Sequence, residues 1–235
     1  MIPGMLRRLC YSLLGLALLP AAVGLALTLY HLLVEIQMDP AAGATLFRAL
    51  LGVTVWLLLF FLLPRPIRSY VLAHELSHAL AAWLSGERAG KLRVHRHGGS
   101  VEVSRTTLLI ALAPYMFPFY SLLLLGVTAL AGLWLDLTLW MPWVPFFIGL
   151  TWAHHLSFTV LSLALGQSDL QHHGPLCAYP VIFIANILCL LPFLIHLAPL
   201  SLEAGIRLIL TDQHHAHLWV WNTARHILLG VSRSS

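Results

Sequence analysis

A five-residue stretch, His74-Glu75-Leu76-Ser77-His78, carries residue types at the spacing of a metal site. Residues four positions apart share one face of a helix, so His74 and His78 can point at one metal ion. Glu75 lies one position along, where its carboxylate can reach a water molecule beside that metal. This pattern predicts hydrolysis by a metal-activated water molecule. His74 and His78 are the predicted zinc ligands, and Glu75 is the predicted general base.

The rest of the chain places this motif in a membrane. Of 235 residues, 59% are hydrophobic and 9% are charged, whereas soluble domains carry about 25% charged residues. Several apolar runs approach the roughly 20 residues that span a bilayer. The composition therefore excludes a soluble domain and predicts a multi-pass membrane protein. Two histidines and a glutamate are costly to bury in a bilayer without a function, although a polar helix end at the interface is the alternative interpretation.

The lengths of the apolar runs predict an all-α integral membrane protein with about five to six membrane helices and a short β-hairpin after the motif helix. The first apolar run is too long for a cleaved signal sequence, so we expect it to remain as a membrane helix. Residues 1–200 are expected to form one polytopic domain with its core at about 67–170, and residues 201–235 an interfacial amphipathic tail. The predicted membrane segments are 10–34, 46–63, 67–85, 106–133, 145–165 and 176–199.

The polar insertion at 86–105 predicts a short β-hairpin after the motif helix. Leu92, Val94, Val101 and Val103 alternate with polar residues about a Gly98-Gly99 pair, which predicts a turn at the glycines. A free strand edge in segment 91–104 would pair with an extended substrate; a simple surface loop is the alternative. The insertion is rich in arginine, which predicts a cytoplasmic position for it.

The motif region resembles the site-2 protease family of intramembrane zinc metalloproteases. The resemblance rests on the stretch 74–82 with its small residues after His78, on Gly86, on Ala113-Pro114 in a later membrane helix and on an acid further on; it covers about 70–170. The family implies one Zn²⁺ per chain, a transmembrane protein substrate and a third ligand, an aspartate on a later membrane helix.

Asp169 is the better of two candidates for that third ligand, the other being Asp136. A catalytic zinc needs three protein ligands and an open position, and Asp169 would complete such a set. Two spans after the basic hairpin return the chain to the same side of the membrane at Asp169. Alternatively, Asp169 caps the helix that starts near Leu176, and His172 and His173 are fallback ligands.

The sequence departs from the family pattern in two places. Leu170 follows Asp169 where the family has glycine, and Ala113-Pro114 stands where the family has Gly-Pro with a nearby asparagine. These departures affect the third ligand and the substrate contacts, and they leave the His-Glu-His core intact.

Other histidines allow weaker interpretations. His154 and His155 lie in mid-span, and one of them could hydrogen-bond a ligand or the transition state; a satisfied interior histidine is the alternative. His214, His215 and His217 could bind metal adventitiously or form part of a solvated tail. Three scattered cysteines, Cys10, Cys177 and Cys189, indicate no disulfide framework.

The sequence therefore predicts an intramembrane zinc endopeptidase that cleaves in or near the transmembrane segment of a membrane-protein substrate. The alternatives are a non-catalytic relative that binds membrane clients and a metal or proton transporter. We expect the lipid bilayer and a transmembrane protein as partners, no nucleic acid, and a multi-pass position in the cell (inner) membrane with the site nearer the cytoplasmic face. The sequence leaves the oligomeric state open.

Overall fold

A computed structural model describes residues 4–95, 98–171 and 173–229, and it is predominantly helical. This confirms the predicted all-α membrane class with a short hairpin. The elements in chain order are α1 (Gly4–Met38), α2 (Pro40–Leu62), α3 (Ile67–Leu84), β1 (Ala89–His95), β2 (Gly98–Val103), α4 (Leu108–Met116), α5 (Phe119–Ala131), α6 (Val144–Leu165), α7 (Ser168–Gln171), α8 (Pro175–Leu197) and α9 (Leu202–Leu229).

Within the described residues, four helices are long and apolar enough to cross a membrane: α1, α2, α6 with the turn before it, and α8. The pair α4 and α5 makes a fifth if it counts as one bent span. The motif helix α3 has 18 residues, which is about 27 Å and shorter than a hydrocarbon core of about 30 Å. These spans make the chain a multi-pass membrane protein.

The predicted membrane segment 106–133 consists of two helices, because the chain bends by 74° between α4 and α5. Pro118 causes the break: its ring disfavours helical geometry at the residue before it, and Phe117 is extended, with φ −109° and ψ 120°. The bend ends α4 beside the motif helix, on which Ile110 and Ala113 pack.

The chain divides into two compact units, one formed by residues 1–42 with 176–235 and the other by 43–175. In the first, α9 contacts α1 through polar groups. His31 Nδ1 lies 3.1 Å from Asp212 Oδ2, and Gln213 donates to the Ala21 carbonyl. Residues 202–229 form one helix, α9. That residues 201–235 make up a separate interfacial tail stays a prediction.

The second unit contains the motif. The backbones of α2 and α6 approach each other closely at Gly52 and Gly149. A Cβ atom at either position would collide with a backbone carbonyl of the other helix. Beside this contact, Trp56, Phe60 and Phe158 form an aromatic cluster. This close packing fixes α2 against α6.

The hairpin is present, but its turn is not at the glycine pair. His95 pairs with Gly98 and Val94 with Gly99, so both glycines are strand residues, and neither has positive φ. The two residues between the strands, 96 and 97, lie outside the described residues. Gly99 packs on Val71 and Glu75 of α3; the absence of a side chain at this position lets the strand approach the helix.

Candidate metal centre

Helix α3 presents both motif histidines on one face. The Nε2 atoms of His74 and His78 lie 3.2 Å apart, as expected for residues one turn apart. Ala81 and Ala82 then allow α4 to pack closely on α3, through Ile110 and Ala113. The small residues after the motif therefore bring α4 to the edge of the site.

Asp169 meets these imidazoles from another element. Helix α6 ends at Gly166, which takes the left-handed conformation with φ 64° and ψ 52° and so turns the chain into α7. Asp169 Oδ2 lies 3.4 Å from His74 Nε2 and 3.6 Å from His78 Nε2. The carboxylate is therefore directed at the two histidines.

The three side chains fit a zinc ion by geometry and by chemistry. Zinc bonds of about 2.0–2.2 Å at tetrahedral angles separate ligand atoms by roughly 3.3–3.6 Å, close to the separations found here. Two imidazoles and one carboxylate are a ligand set of catalytic zinc sites, which keep a fourth position open. Among the described residues, His74, His78 and Asp169 form the one group of this kind.

The other ring nitrogens of the histidines have hydrogen-bond partners. His78 Nδ1 donates to the Ile110 carbonyl at 2.7 Å, so in a neutral ring Nε2 keeps the lone pair that binds metal. His74 Nδ1 lies 3.2 Å from the Tyr70 hydroxyl, which in turn is 2.6 Å from Ser162 Oγ on α6. These contacts hold each ring in its orientation.

Electrostatics keeps the Asp169 carboxylate in the ionised form that a metal ion would require. Burial alone would raise the pKa of Asp169, but hydrogen bonding to His74 and His78 and their charge outweigh burial and hold this pKa well below its usual range. The carboxylate is therefore ionised at neutral pH, which metal ligation requires.

A cavity of about 340 Å³ opens beside the three ligands. Glu75 lines it, and the Val101 backbone N–H donates a hydrogen bond to the Glu75 carboxylate. Residues of β2 form another wall, so the hairpin borders the site rather than standing apart from it. The lining comprises His74, Glu75, His78, Gly99, Ser100, Val101, Val103, Thr106, Ile110, Ala111, Gln167 and Asp169.

The remaining sequence candidates lie elsewhere. His154 Nε2 contacts Ser69 Oγ at 3.1 Å, and with His155 it lines a separate cavity of about 20 Å³ that His74 also reaches. His173 is buried outside the three-ligand group, and His172 lies outside the described residues. Asp136 binds Thr138 in an exposed turn. His214, His215 and His217 are exposed on α9.

Sequence reasoning missed three contributors to the site: Tyr70, Gly99 and Tyr115, whose hydroxyl donates to Asp169 Oδ2 at 3.1 Å. Tyr70 stands four positions before His74, so helical spacing alone could have placed it on the same face. Tyr115 and Gly99 come from other elements, and no local pattern connects them with the motif.

The fold and the site define a class: a multi-pass membrane protein whose short helix carries a His-Glu-His motif, with an aspartate brought beside it. A family model described as Peptidase M50B-like matches residues 48–193, and the chain belongs to this family. M50 peptidases are zinc metallopeptidases, and membership agrees with the resemblance to site-2 proteases. No curated protein and no solved structure matches the chain.

Proposed function

We propose that this protein is an intramembrane zinc endopeptidase that hydrolyses a peptide bond in or near the transmembrane segment of a membrane protein. The observation that carries the proposal is the single cavity bordered by His74, Glu75, His78 and Asp169. This cavity combines a ligand set, a carboxylate base and room for a peptide in one place.

His74, His78 and Asp169 would hold the metal, which when bound supplies Lewis-acid activation of water and of the scissile carbonyl. Glu75 takes one proton from the attacking water as its oxygen bonds to the carbonyl carbon. Glu75 then returns that proton to the amine nitrogen as the C–N bond breaks. Because Glu75 is buried beside the cavity, its carboxylate is fixed where the water enters.

The hairpin segment 91–104 is proposed to hold the substrate. Among the described residues, β2 pairs with β1 in a two-stranded sheet and lines the cavity through Gly99, Ser100 and Val101, so its other edge is the proposed place for the substrate. A transmembrane helix hides its amides in internal hydrogen bonds and must unwind before cleavage. An unwound segment that adds to this edge would exchange its helical hydrogen bonds for strand hydrogen bonds.

The membrane and its side are also part of the proposal. The exposed hairpin carries Arg88, Lys91, Arg93 and Arg105 around the site, which favours a cytoplasmic position in the cell membrane. A cysteine at exposed position 91 should react with an impermeant maleimide only in inverted membrane vesicles. Labelling of intact cells would contradict this orientation.

The decisive measurement is cleavage of a candidate transmembrane substrate by purified protein in liposomes. Glu75→Gln should lower kcat by about 10²–10⁴-fold, the contribution of a general base, and should retain about one zinc per chain. Glu203→Gln is the matched control, because Glu203 is exposed on α9, where it pairs with Arg207, and it is not among the residues that line the cavity; this variant should leave cleavage unchanged.

Cleavage by Glu75→Gln at the wild-type rate would overturn the mechanism. A wild-type protein that binds zinc and client but cleaves nothing would favour the non-catalytic relative. Zinc or proton flux in proteoliposomes without cleavage would favour a transporter.

A further inference from the structure

The third ligand has little support from its own element. Asp169 lies in α7, a helix of four residues that follows the left-handed Gly166. A helix of this length is not stable on its own. The two histidines, by contrast, project from an 18-residue helix. Something outside α7 must therefore fix the Asp169 carboxylate opposite α3.

Tyr115 of α4 makes the contact that does so. Its hydroxyl donates to Asp169 Oδ2 at 3.1 Å, the oxygen that faces both imidazoles. The Gln167 amide oxygen is a more distant partner at 3.5 Å. A phenol has one proton, and the shorter bond to a charged carboxylate is the stronger one. Because a carboxylate oxygen has two lone pairs, Oδ2 can accept this bond and still face the histidines.

Tyr115 itself is held firmly. Its side chain is fully buried (0% exposed), on a helix packed against α3 at Ile110 and Ala113. Its ring also meets His74 edge-on, with centroids 5.3 Å apart and an interplanar angle of 77°. One side chain thus contacts two predicted ligands that come from different elements.

We propose that Tyr115 is a positioning residue, which acts through Asp169 to hold the third ligand against the histidine pair. The inference rests on the proposed metal site and adds a determinant of its zinc affinity. It also gives the Ala113-Pro114-Tyr115 segment a role: this last turn of α4 presents a phenol to Asp169.

The test is zinc affinity of the full-length protein in detergent, measured by competition with a chromogenic chelator. Tyr115→Phe removes one oxygen and should weaken zinc binding about 10–100-fold, the usual effect of losing a hydrogen-bond partner of a metal ligand. The absorption bands of a bound Co²⁺ probe should shift as well. Tyr120→Phe is the matched control, since its hydroxyl donates to the Ser69 carbonyl and touches none of the ligands; zinc affinity should stay unchanged.

A double-mutant cycle separates positioning from general destabilisation. In an Asp169→Ala background, Tyr115→Phe should cause no further loss of zinc affinity, because its target is gone. Should Tyr115→Phe not fold, Tyr115→His, which keeps a ring N–H donor, takes its place and should lose less affinity than Tyr115→Leu. Equal affinities for wild type and Tyr115→Phe, or equal losses in both backgrounds, would overturn the inference while leaving the peptidase proposal intact. A wild type without zinc affinity would overturn both.

Discussion

Two histidine pairs in the unit of residues 43–175 differ more in their surroundings than in their burial, although the His78 side chain is 13% exposed. His74 and His78 face a carboxylate across an open cavity. His154 is enclosed by the rings of Trp56, Tyr120 and Phe158 and bonded to Ser69. His154 and His155 are 7% and 9% exposed, against 8% for His74. Burial therefore does not distinguish a candidate ligand from a packed histidine; the opposing groups do.

The largest expected difference in zinc affinity is between two variants, each with one histidine of one pair substituted. His78→Ala removes a ligand, so zinc affinity should fall by more than about 100-fold, since loss of an outer partner alone costs 10–100-fold. His154→Phe keeps an aromatic ring among aromatic rings. It should leave zinc affinity unchanged and reduce the free energy of unfolding by about 1 kcal/mol for one lost hydrogen bond. Chelator competition and thermal unfolding measure the two quantities, and a loss of zinc in His154→Phe would erase the distinction between the pairs.

A second prediction concerns the cavity of about 340 Å³ beside His74 and His78, which is far larger than the cavity of about 20 Å³ beside His154. Alanine at Gly99 would bring a Cβ within 2.7 Å of Glu75 Cγ, so the base must shift. A displacement of about 1 Å can cost about 100-fold in rate, and kcat should fall by about 10–100-fold with zinc content unchanged.

Gly98→Ala is the control for this change, because nothing lies within 4 Å of a Cβ there. Its cleavage rate should match that of the wild type. Equal rates for the two variants would mean that β2 does not constrain Glu75.

The smallest effect tests the hydrogen bonds behind the rings. Tyr70→Phe removes the hydroxyl beside His74 Nδ1 and should weaken zinc binding about 10-fold. Ser69→Ala removes the corresponding partner of His154 and should change stability without changing zinc affinity. Competition with a chelator measures the zinc affinity of both variants. An equal loss of zinc affinity in Tyr70→Phe and Ser69→Ala would contradict the roles assigned to these two hydroxyls.

Local patterns predicted much of this molecule. The motif helix and the hairpin follow from periods of 3.6 and 2 residues, and the apolar segments follow from long apolar runs. The structure contains the motif helix, the hairpin and helices over the apolar segments, one of which is bent. The predicted position of the turn was wrong because both glycines are strand residues. Glycine is needed at position 99 for another reason, which is that a side chain there would collide with α3. The break at Phe117-Pro118 divided a segment that hydropathy alone reads as continuous.

Asp169 shows where sequence reasoning stopped. Topology and resemblance favoured it over Asp136 and over His172 and His173, yet a helix cap remained open. The distances between Asp169 Oδ2 and the two Nε2 atoms depend on how the chain turns at Gly166, from α6 into α7, and returns to α3. That turn brings together residues that are far apart in the sequence. Tyr115 was not foreseen for the same reason: its partner lies 54 positions away.

The sequence by itself determined the membrane setting and the spacing of His74, Glu75 and His78, because hydrophobicity and helical geometry act over a few residues. Only the tertiary structure decided which acid faces these imidazoles, which phenol holds it, and that the hairpin borders the cavity. Those contacts depend on the close approach of α4 and β2 to α3, which small side chains at Ala81, Ala82 and Gly99 permit. Packing between distant segments is a property of the folded chain, and no local periodicity encodes it.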